Sequence, residues 1–193
     1  MKSELKMTFF LLATTTACTL LVAGANLAYD RASVVFNLRL YKTILELFEV
    51  PLESGEVETV FSEHFESIPV GGGTFYRSKK KNPGTLVFKS EGPGLWSQID
   101  LLLAVDPDRE SLYGLRVVSQ AETPGLGGRI AEEGFQTAFA GTDIRPTLRI
   151  VKFAMAGNEV DAVSGATKTS TAVEQIINQG INHLDRALPM EEQ

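Results

Sequence analysis

Cysteine is almost absent: the 193 residues include one, Cys18. That excludes an intrachain disulfide, a C-x-x-C redox pair and, for this chain alone, a thiolate set for zinc or an iron–sulfur cluster. Histidine is nearly as scarce. His64 and His183 are the two present, and neither has a partner at metal-ligand spacing, so no metal site is predicted and both are expected at the surface. No G-x-G-x-x-G follows a strand pattern, which removes a nicotinamide module. An excess of positive charge is missing too. The net charge of −6 argues against nucleic acid as a partner. With 44% hydrophobic and 22% charged residues, wholesale disorder is also excluded.

Charge is missing altogether between Lys6 and Asp30. The run Met7 to Tyr29 makes a helix of roughly 34 Å at 1.5 Å per residue, enough to cross a hydrocarbon core of about 30 Å. It is long for the apolar part of a signal peptide, and Asn26-Leu27-Ala28 is a modest cleavage site, so an uncleaved single-pass anchor in contact with membrane lipid is predicted. Cys18 inside the run reads as an inert apolar-environment thiol. Thr15-Thr16-Ala17 ahead of it make a poor lipobox. Thr8, Thr14, Thr15, Thr16 and Thr19 can bond back to the helix or reach a neighbouring helix. Lys2 and Lys6 on one side roughly balance Arg31, Arg39 and Lys42 on the other, so charge does not choose an orientation.

After the anchor, Val34, Val35, Leu38, Tyr41, Leu45 and Phe48 keep helical spacing, widened by Phe36, Leu40, Ile44 and Leu47. The reading is a helix from Ser33 to Phe48, following a bend at Asp30 and stopped by Pro51. Its broad apolar surface suits lipid, a partner subunit or its own domain. A second helix is expected over Ser54 to Ile68, with Ser54 as its cap, ending at Gly71-Gly72-Gly73. Strand patterns follow at Thr74–Arg77, Thr85–Lys89, Gln98–Val105, Leu112–Ser119 and Leu148–Ala154, with a helix at Arg129–Ala140. The lysines of Ser78–Gly84 read as a solvated hairpin tip, and Asp106–Glu110 as a turn. The expected organisation is an anchor (1–30), a helical connector (31–72) and a domain over 73–193. The fold class is α+β, with a mainly antiparallel sheet packed with helices.

The densest signal is Asp161-Ala162-Val163-Ser164-Gly165-Ala166-Thr167, with Lys168-Thr169-Ser170-Thr171 behind it. Val173, Ile176, Ile177, Ile181 and Leu184 then repeat at helical spacing. Small and hydroxylated residues at a helix start serve either as plain caps or as an anion site built from free N–H groups. Two other segments stand out: Gly92-Pro93-Gly94-Leu95-Trp96-Ser97, and Glu122-Thr123-Pro124-Gly125-Leu126-Gly127-Gly128. Alone, each reads as a Gly/Pro turn between core elements. Together they can approach a flat ligand, with Leu95 and Leu126 as apolar faces and Thr123 and nearby N–H groups as hydrogen-bond partners.

The motif D-x-x-(S/T)-G-A-T resembles the flavinylation motif of the FMN-binding domain in redox-driven ion pumps. Those are the Na+-translocating NADH:quinone oxidoreductase, Nqr, through its C subunit, and the Rnf complex, through its G subunit. G-L-W-S and E-T-P-G-L-G-G resemble segments of the same family in the same order, and the resemblance spans roughly Gly92 to Leu184. It implies one FMN held covalently as a phosphoester on Thr167. It also implies cofactor contacts from Ser164, Gly165, Ala166, Lys168, Thr169, Glu122, Thr123, Gly125, Leu126, Leu95 and Trp96. Asp161 is implied in recognition by a Mg2+-dependent transferase that uses FAD. The implied function is a membrane-anchored electron-transfer subunit, with no complete active site of its own, relaying single electrons among the other membrane subunits of an ion-translocating Rnf/Nqr-type oxidoreductase, with the coupling ion, Na+ or H+, left open. Its flavin domain would face outward from the inner (cytoplasmic) membrane, on the periplasmic side. G-L-W-S is closer to the C subunit and the short chain closer to the G subunit. A stand-alone or regulatory membrane-anchored flavoprotein and a non-redox anchored binding module are the competing classes.

Overall fold

The computed structural model describes residues 2–52, 56–71 and 73–190, and divides into two compact units, residues 1–40 and 41–193. Helix α1 covers Lys2–Leu47 and its helical assignment runs unbroken through Asp30, so the anchor and the helix expected from Ser33 are one element. Within it Lys6–Leu27 is long and apolar enough to cross a membrane. The threonine hydroxyls there bond back along the helix: Thr14 to the Phe10 carbonyl at 2.9 Å, Thr15 to Leu11 at 2.9 Å, Thr16 to Leu12 at 2.8 Å and Thr19 to Thr15 at 2.9 Å. Each hydroxyl is thereby satisfied without water, as a helix in lipid requires.

The second unit is built on a five-stranded antiparallel meander in the order β1-β2-β3-β4-β5. Its strands are β1 Phe65–Val70, β2 Gly73–Ser78, β3 Leu86–Pro93, β4 Gln98–Val105 and β5 Leu112–Ser119. Helix α4, Thr167–Ala187, packs across β3 and β4. Its apolar stripe of Val173, Ile176, Ile177, Ile181 and Leu184 meets Phe88, Leu101, Leu103 and Leu115 in the main core. The opposite face of the sheet presents Tyr76, Val87, Leu102 and Ala104, also buried. The end of α1 belongs to this side of the core. Leu47 lies so close to Gly114 of β5 that a β-carbon there would stand 2.8 Å from Leu47 Cδ1. Phe48 stacks on Tyr113 at 4.6 Å and meets Phe65 edge-on at 4.9 Å. At β4 the sheet is therefore covered on both sides, which is why that strand reads as a nearly continuous apolar run.

The sequence reading needs correction at several elements. The expected helix Ser54–Ile68 is α2 Val57–His64 followed directly by β1. Pro69 cannot donate an interior helix bond, and Phe65–Val70 instead pairs with β2 from Phe65↔Ser78 to Val70↔Gly73. The expected cap Ser54 lies outside the described residues. Strand β3 continues through Gly92 and Pro93, because Gly92 pairs with Ile99 and its missing side chain admits Ile176 of α4. The expected helix Arg129–Ala140 is a 3-10 turn, Gly127–Ala131, then the short α3, Glu133–Thr137; Gly134 and the Glu132 break prevent a longer run. The strand expected over Leu148–Ala154 is only β6, Arg149–Val151. It pairs in parallel with β7, Glu159–Asp161, a strand without a periodic signal in the sequence.

Position 180 on α4 tests this packing. A β-carbon on Gly180 would lie 2.6 Å from Ser90 Oγ, 2.8 Å from Ser90 Cβ and 3.0 Å from Leu103 Cδ1. Alanine favours helix over glycine by about 1 kcal/mol, but overpacking a rigid contact costs about 1–3 kcal/mol. Gly180→Ala is expected to lower the denaturant midpoint of the full chain in detergent; an unchanged or raised midpoint would show that α4 does not pack this closely.

Candidate functional site

Strands β6 and β7 set the site's floor. Asn178 of α4 clamps Leu148 by accepting from its N–H at 3.1 Å and donating to its carbonyl at 2.9 Å. Ile150 N–H donates to Glu174 at 2.5 Å. Strand β7 then delivers the chain into the turn Ala162–Ala166, where Ala162 N–H reaches the Val151 carbonyl and Ala166 N–H the Val163 carbonyl. The Ser170 hydroxyl accepts from Val163 N–H at 3.1 Å, tying the turn to the first turn of α4. Gly165 has φ +78°, a left-handed conformation that a side chain would strain.

This turn does not cap its helix. The residue in the cap position is Ala166, and no side chain bonds the end of α4. The N–H groups of Thr167, Lys168 and Thr169 therefore have no intrahelical partner. Of the two readings open to the sequence, the plain Ser/Thr cap is the one this geometry lacks. Thr167 is exposed at the helix start, and with Ser164, Gly165, Ser170 and Thr171 it lines a cleft of about 450 Å³. Ile150, Lys152 and Phe153, on and just after β6, line the same cleft. Lys168 is exposed outside that lining, and Ala166 is buried.

Glu122 joins the other two segments to this one. It is buried, 4% exposed. One carboxylate oxygen accepts from Trp96 N–H at 2.9 Å and Ser97 N–H at 3.3 Å; the other accepts from the Thr169 hydroxyl at 2.8 Å. Burial by itself would raise the carboxyl's pKa. The donors from Trp96, Thr169, Ser97 and Leu95 outweigh it and hold the group below the ordinary carboxylate range. Two glycines leave room for this arrangement. A β-carbon at Gly94 would lie 2.6 Å from Glu122 Oε1, and one at Gly127 would lie 2.6 Å from Thr169 Oγ1. Glu122 and Thr169, both expected at the cofactor, satisfy each other beneath the surface.

The neighbouring loops present apolar side chains to solvent, Leu95, Trp96 and Leu126 among them. Leu95 and Trp96 are exposed on the loop that lines a second cleft of about 440 Å³, with Trp96 73% exposed. Leu126 Cδ2 stands 3.4 Å from where a Gly165 β-carbon would be, so the two loops meet. The Thr123 carbonyl accepts from Leu126 and Gly128 N–H, while Gly125 takes φ +73°. Asp161 accepts from Ala154 N–H at 2.6 Å, bracing the connection between β6 and β7. Lys152 and Phe153 are site residues that the sequence does not mark; the short parallel pair that places them carries no readable periodicity. Among the described residues no cluster of metal-ligating side chains occurs.

These features fit a flavin nucleotide. Uncapped helix N–H groups suit a phosphate, the cleft has an exposed hydroxyl at its mouth, and exposed Leu126, Trp96 and Phe153 offer faces for a flat ring. Residues 94–182 match the family profile described as the FMN-binding domain. The C subunit of the Na(+)-translocating NADH-quinone reductase of Vibrio anguillarum is 38% identical over 43% of this chain and 36% of its own length. Its namesake in Haemophilus ducreyi is 40% identical over 46% of this chain and 37% of its own. The matched stretch thus spans little more than a third of these relatives. The crystal structure of the same reductase component from Parabacteroides distasonis superimposes with a TM-score of 0.69 over 80% of this chain and 94% of that one, at 24% identity. NqrC from Shewanella oneidensis gives 0.64 over 77% and 97%, at 20% identity. These two bear out the α+β fold. The chain is similar to these Nqr proteins, and its residues 94–182 are similar to the FMN-binding domain family.

Replacing Glu122 by Gln tests the buried hub. An amide must turn a donor toward one of the groups now donating to the carboxylate, at a cost of about 1–3 kcal/mol. Because the folded carboxyl is held low, its stabilising contribution is present above the unfolded value of about 4.3 and lost as pH falls through the lower folded value. Unfolding of both proteins between pH 7 and pH 3 should show the wild-type advantage at neutral pH and its disappearance in acid. A pH-independent difference would contradict an ionised Glu122.

Proposed function

We propose that Thr167 carries FMN through a phosphoester and that the chain relays electrons as a membrane-anchored subunit of an Nqr/Rnf-type ion-translocating oxidoreductase. The observation that carries this reading is the exposed Thr167 hydroxyl at an uncapped helix start, at the mouth of a cleft and inside the D-x-x-S-G-A-T motif. The flavin, when bound, supplies reversible electron uptake; the chain binds, orients and tunes it.

The roles of the residues follow from their positions. The phosphodiester keeps one negative charge, which the first turn of α4 stabilises through its free N–H groups and dipole. Ser164, Gly165 and Lys168 flank that position. Leu95, Trp96, Gly125 and Leu126 would hold the ring by apolar contact, and Thr123 would offer it a hydrogen-bond partner. Glu122 and Thr169 hold these loops in register without needing to touch the cofactor.

A threonine hydroxyl is a weak nucleophile without a base. Among the described residues the nearest motif carboxylate, Asp161, already accepts from Ala154 N–H. Attachment by a separate FAD-dependent transferase accounts for this. The Thr167 oxygen forms a bond to the FMN phosphorus, the pyrophosphate link of FAD breaks, and AMP leaves with the displaced proton retained in solution. Helix α1 would place the domain at the inner (cytoplasmic) membrane on its outer side, with sodium-pump subunits as partners. The similarity to the Nqr proteins supports that assembly.

The test is to produce the chain in a host with the transferase, unfold it, and look for in-gel flavin fluorescence and the mass of one esterified FMN. Wild type should carry it, Thr167→Ala should lose it fully, and Thr167→Ser should keep part. Flavin that survives denaturation in Thr167→Ala would place the link elsewhere. Co-purification with other membrane proteins of the pump separates a pump component from a lone flavoprotein.

A further inference from the structure

We propose that Lys152 is the positioning residue that clamps the flavin phosphodiester in the cleft it shares with the start of α4. This inference rests on the attachment reading above. Lys152 and Thr167 line the same cleft of about 450 Å³, one at the end of β6 and the other at the start of α4. The wall bearing Lys152 is fixed to α4, because β6 is tied to that helix through Asn178 and Glu174. The lysine thus reaches into the cleft from a strand end whose distance to Thr167 is set by the fold.

Its charge is left over. Several other lysines of the domain are paired, Lys80 with Glu63 at 3.0 Å, Lys81 with Glu49 at 3.0 Å and the half-buried Lys89 with Glu91 at 2.7 Å. Among the described residues no carboxylate pairs with Lys152. The acids on the paired strand β7 are engaged elsewhere. Asp161 accepts from Ala154 N–H, and Glu159 accepts from Met155 and Ala156 N–H at 3.0 and 3.3 Å while meeting Arg149 at 3.4 Å. The contact Lys152 does make is with the Phe153 ring, 5.2 Å from its centroid. An ammonium lining the same cleft as the open N–H groups of α4 would complete a two-part phosphate site. Held by both, the phosphate fixes where the ring leaves it, so Lys152 governs ring order rather than attachment.

The experiment uses the full flavinylated chain in detergent and reads the polarised fluorescence decay of the attached flavin, together with the thermal midpoint. Wild type is compared with Lys152→Gln, Lys152→Arg and Lys80→Gln, the last removing an exposed lysine that lines neither cleft. The fast-decaying fraction should at least double in Lys152→Gln, return halfway or more to wild type in Lys152→Arg, and stay unchanged in Lys80→Gln, with equal thermal midpoints. Raising salt from 0.1 M to 1 M, which shortens screening from about 10 Å to about 3 Å, should move wild type toward Lys152→Gln. An unchanged decay in Lys152→Gln, an equal change in Lys80→Gln, or a lowered thermal midpoint in Lys152→Gln overturns the proposal. If Lys152→Gln fails to take up flavin, Lys152→Arg decides: loaded and ordered supports the clamp, unloaded overturns it. Wild type without covalent flavin sinks the attachment reading instead, so the two failures are distinct.

Discussion

A single buried carboxylate organises the functional end of this domain. Glu122 accepts from the backbone of the Leu95–Ser97 loop and from Thr169 on the first turn of α4, at 4% exposure. Desolvating a carboxylate is costly, and the cost is met only where several donors converge. The convergence in turn fixes the relative placement of segments that are far apart in the chain. Gly94 and Gly127 exist at their positions because the carboxylate and its threonine partner occupy the space a β-carbon would need. What looks in the sequence like loop composition is the packing requirement of one charged group.

That hub sits on a sheet whose central strands β3 and β4 are covered on both faces, while the edge strand β1 is largely exposed. Helix α4 covers one side and the last turns of α1 with Phe61 and Phe65 cover the other, through stacked rings such as Phe61 and Phe65 at 5.0 Å. Trp96, Leu126 and Phe153 stay exposed at the site, apolar surface that a flat ligand would cover.

The elements that can be read from sequence are those whose pattern is set locally. Strands β4 and β5 have the residues expected of them, and α4 shows its stripe, because alternation and helical spacing follow directly from which side is buried. Phe65–Val70 misleads because Val57, Val60, Phe61, Phe65 and Ile68 also fit a helix; only pairing with β2 decides, and that partner is not local. The parallel β6–β7 pair is three residues long on each side, too short to show any period. For the site the division is the same. Thr167, Gly165 and Ser164 lie in one contiguous motif and are legible. Lys152 and Phe153 reach the cleft only through that short parallel pair, so nothing in their own neighbourhood marks them. Glu122 stands out by its motif, but its burial and its bond to Thr169 depend on a contact between distant segments.

The uncapped start of α4 is where stability and chemistry diverge. A Ser, Thr, Asp or Asn in the cap position is worth about 1 kcal/mol, and the sequence places Ser164 and Thr167 close to it while leaving Ala166 in it. Thr169, the next hydroxyl, is committed to Glu122, and Ser170 to the Val163 N–H. Of the hydroxyls in that turn, the buried ones build the scaffold and the exposed Thr167 is left to solvent. A fold selected for stability alone would close this end with a side chain. Leaving its N–H groups open, beside an exposed hydroxyl and in a cleft also lined by a lysine without a carboxylate partner, makes sense if an anion completes the helix. In that arrangement the attached phosphate is the cap, and the cofactor contributes to the stability of the domain that holds it.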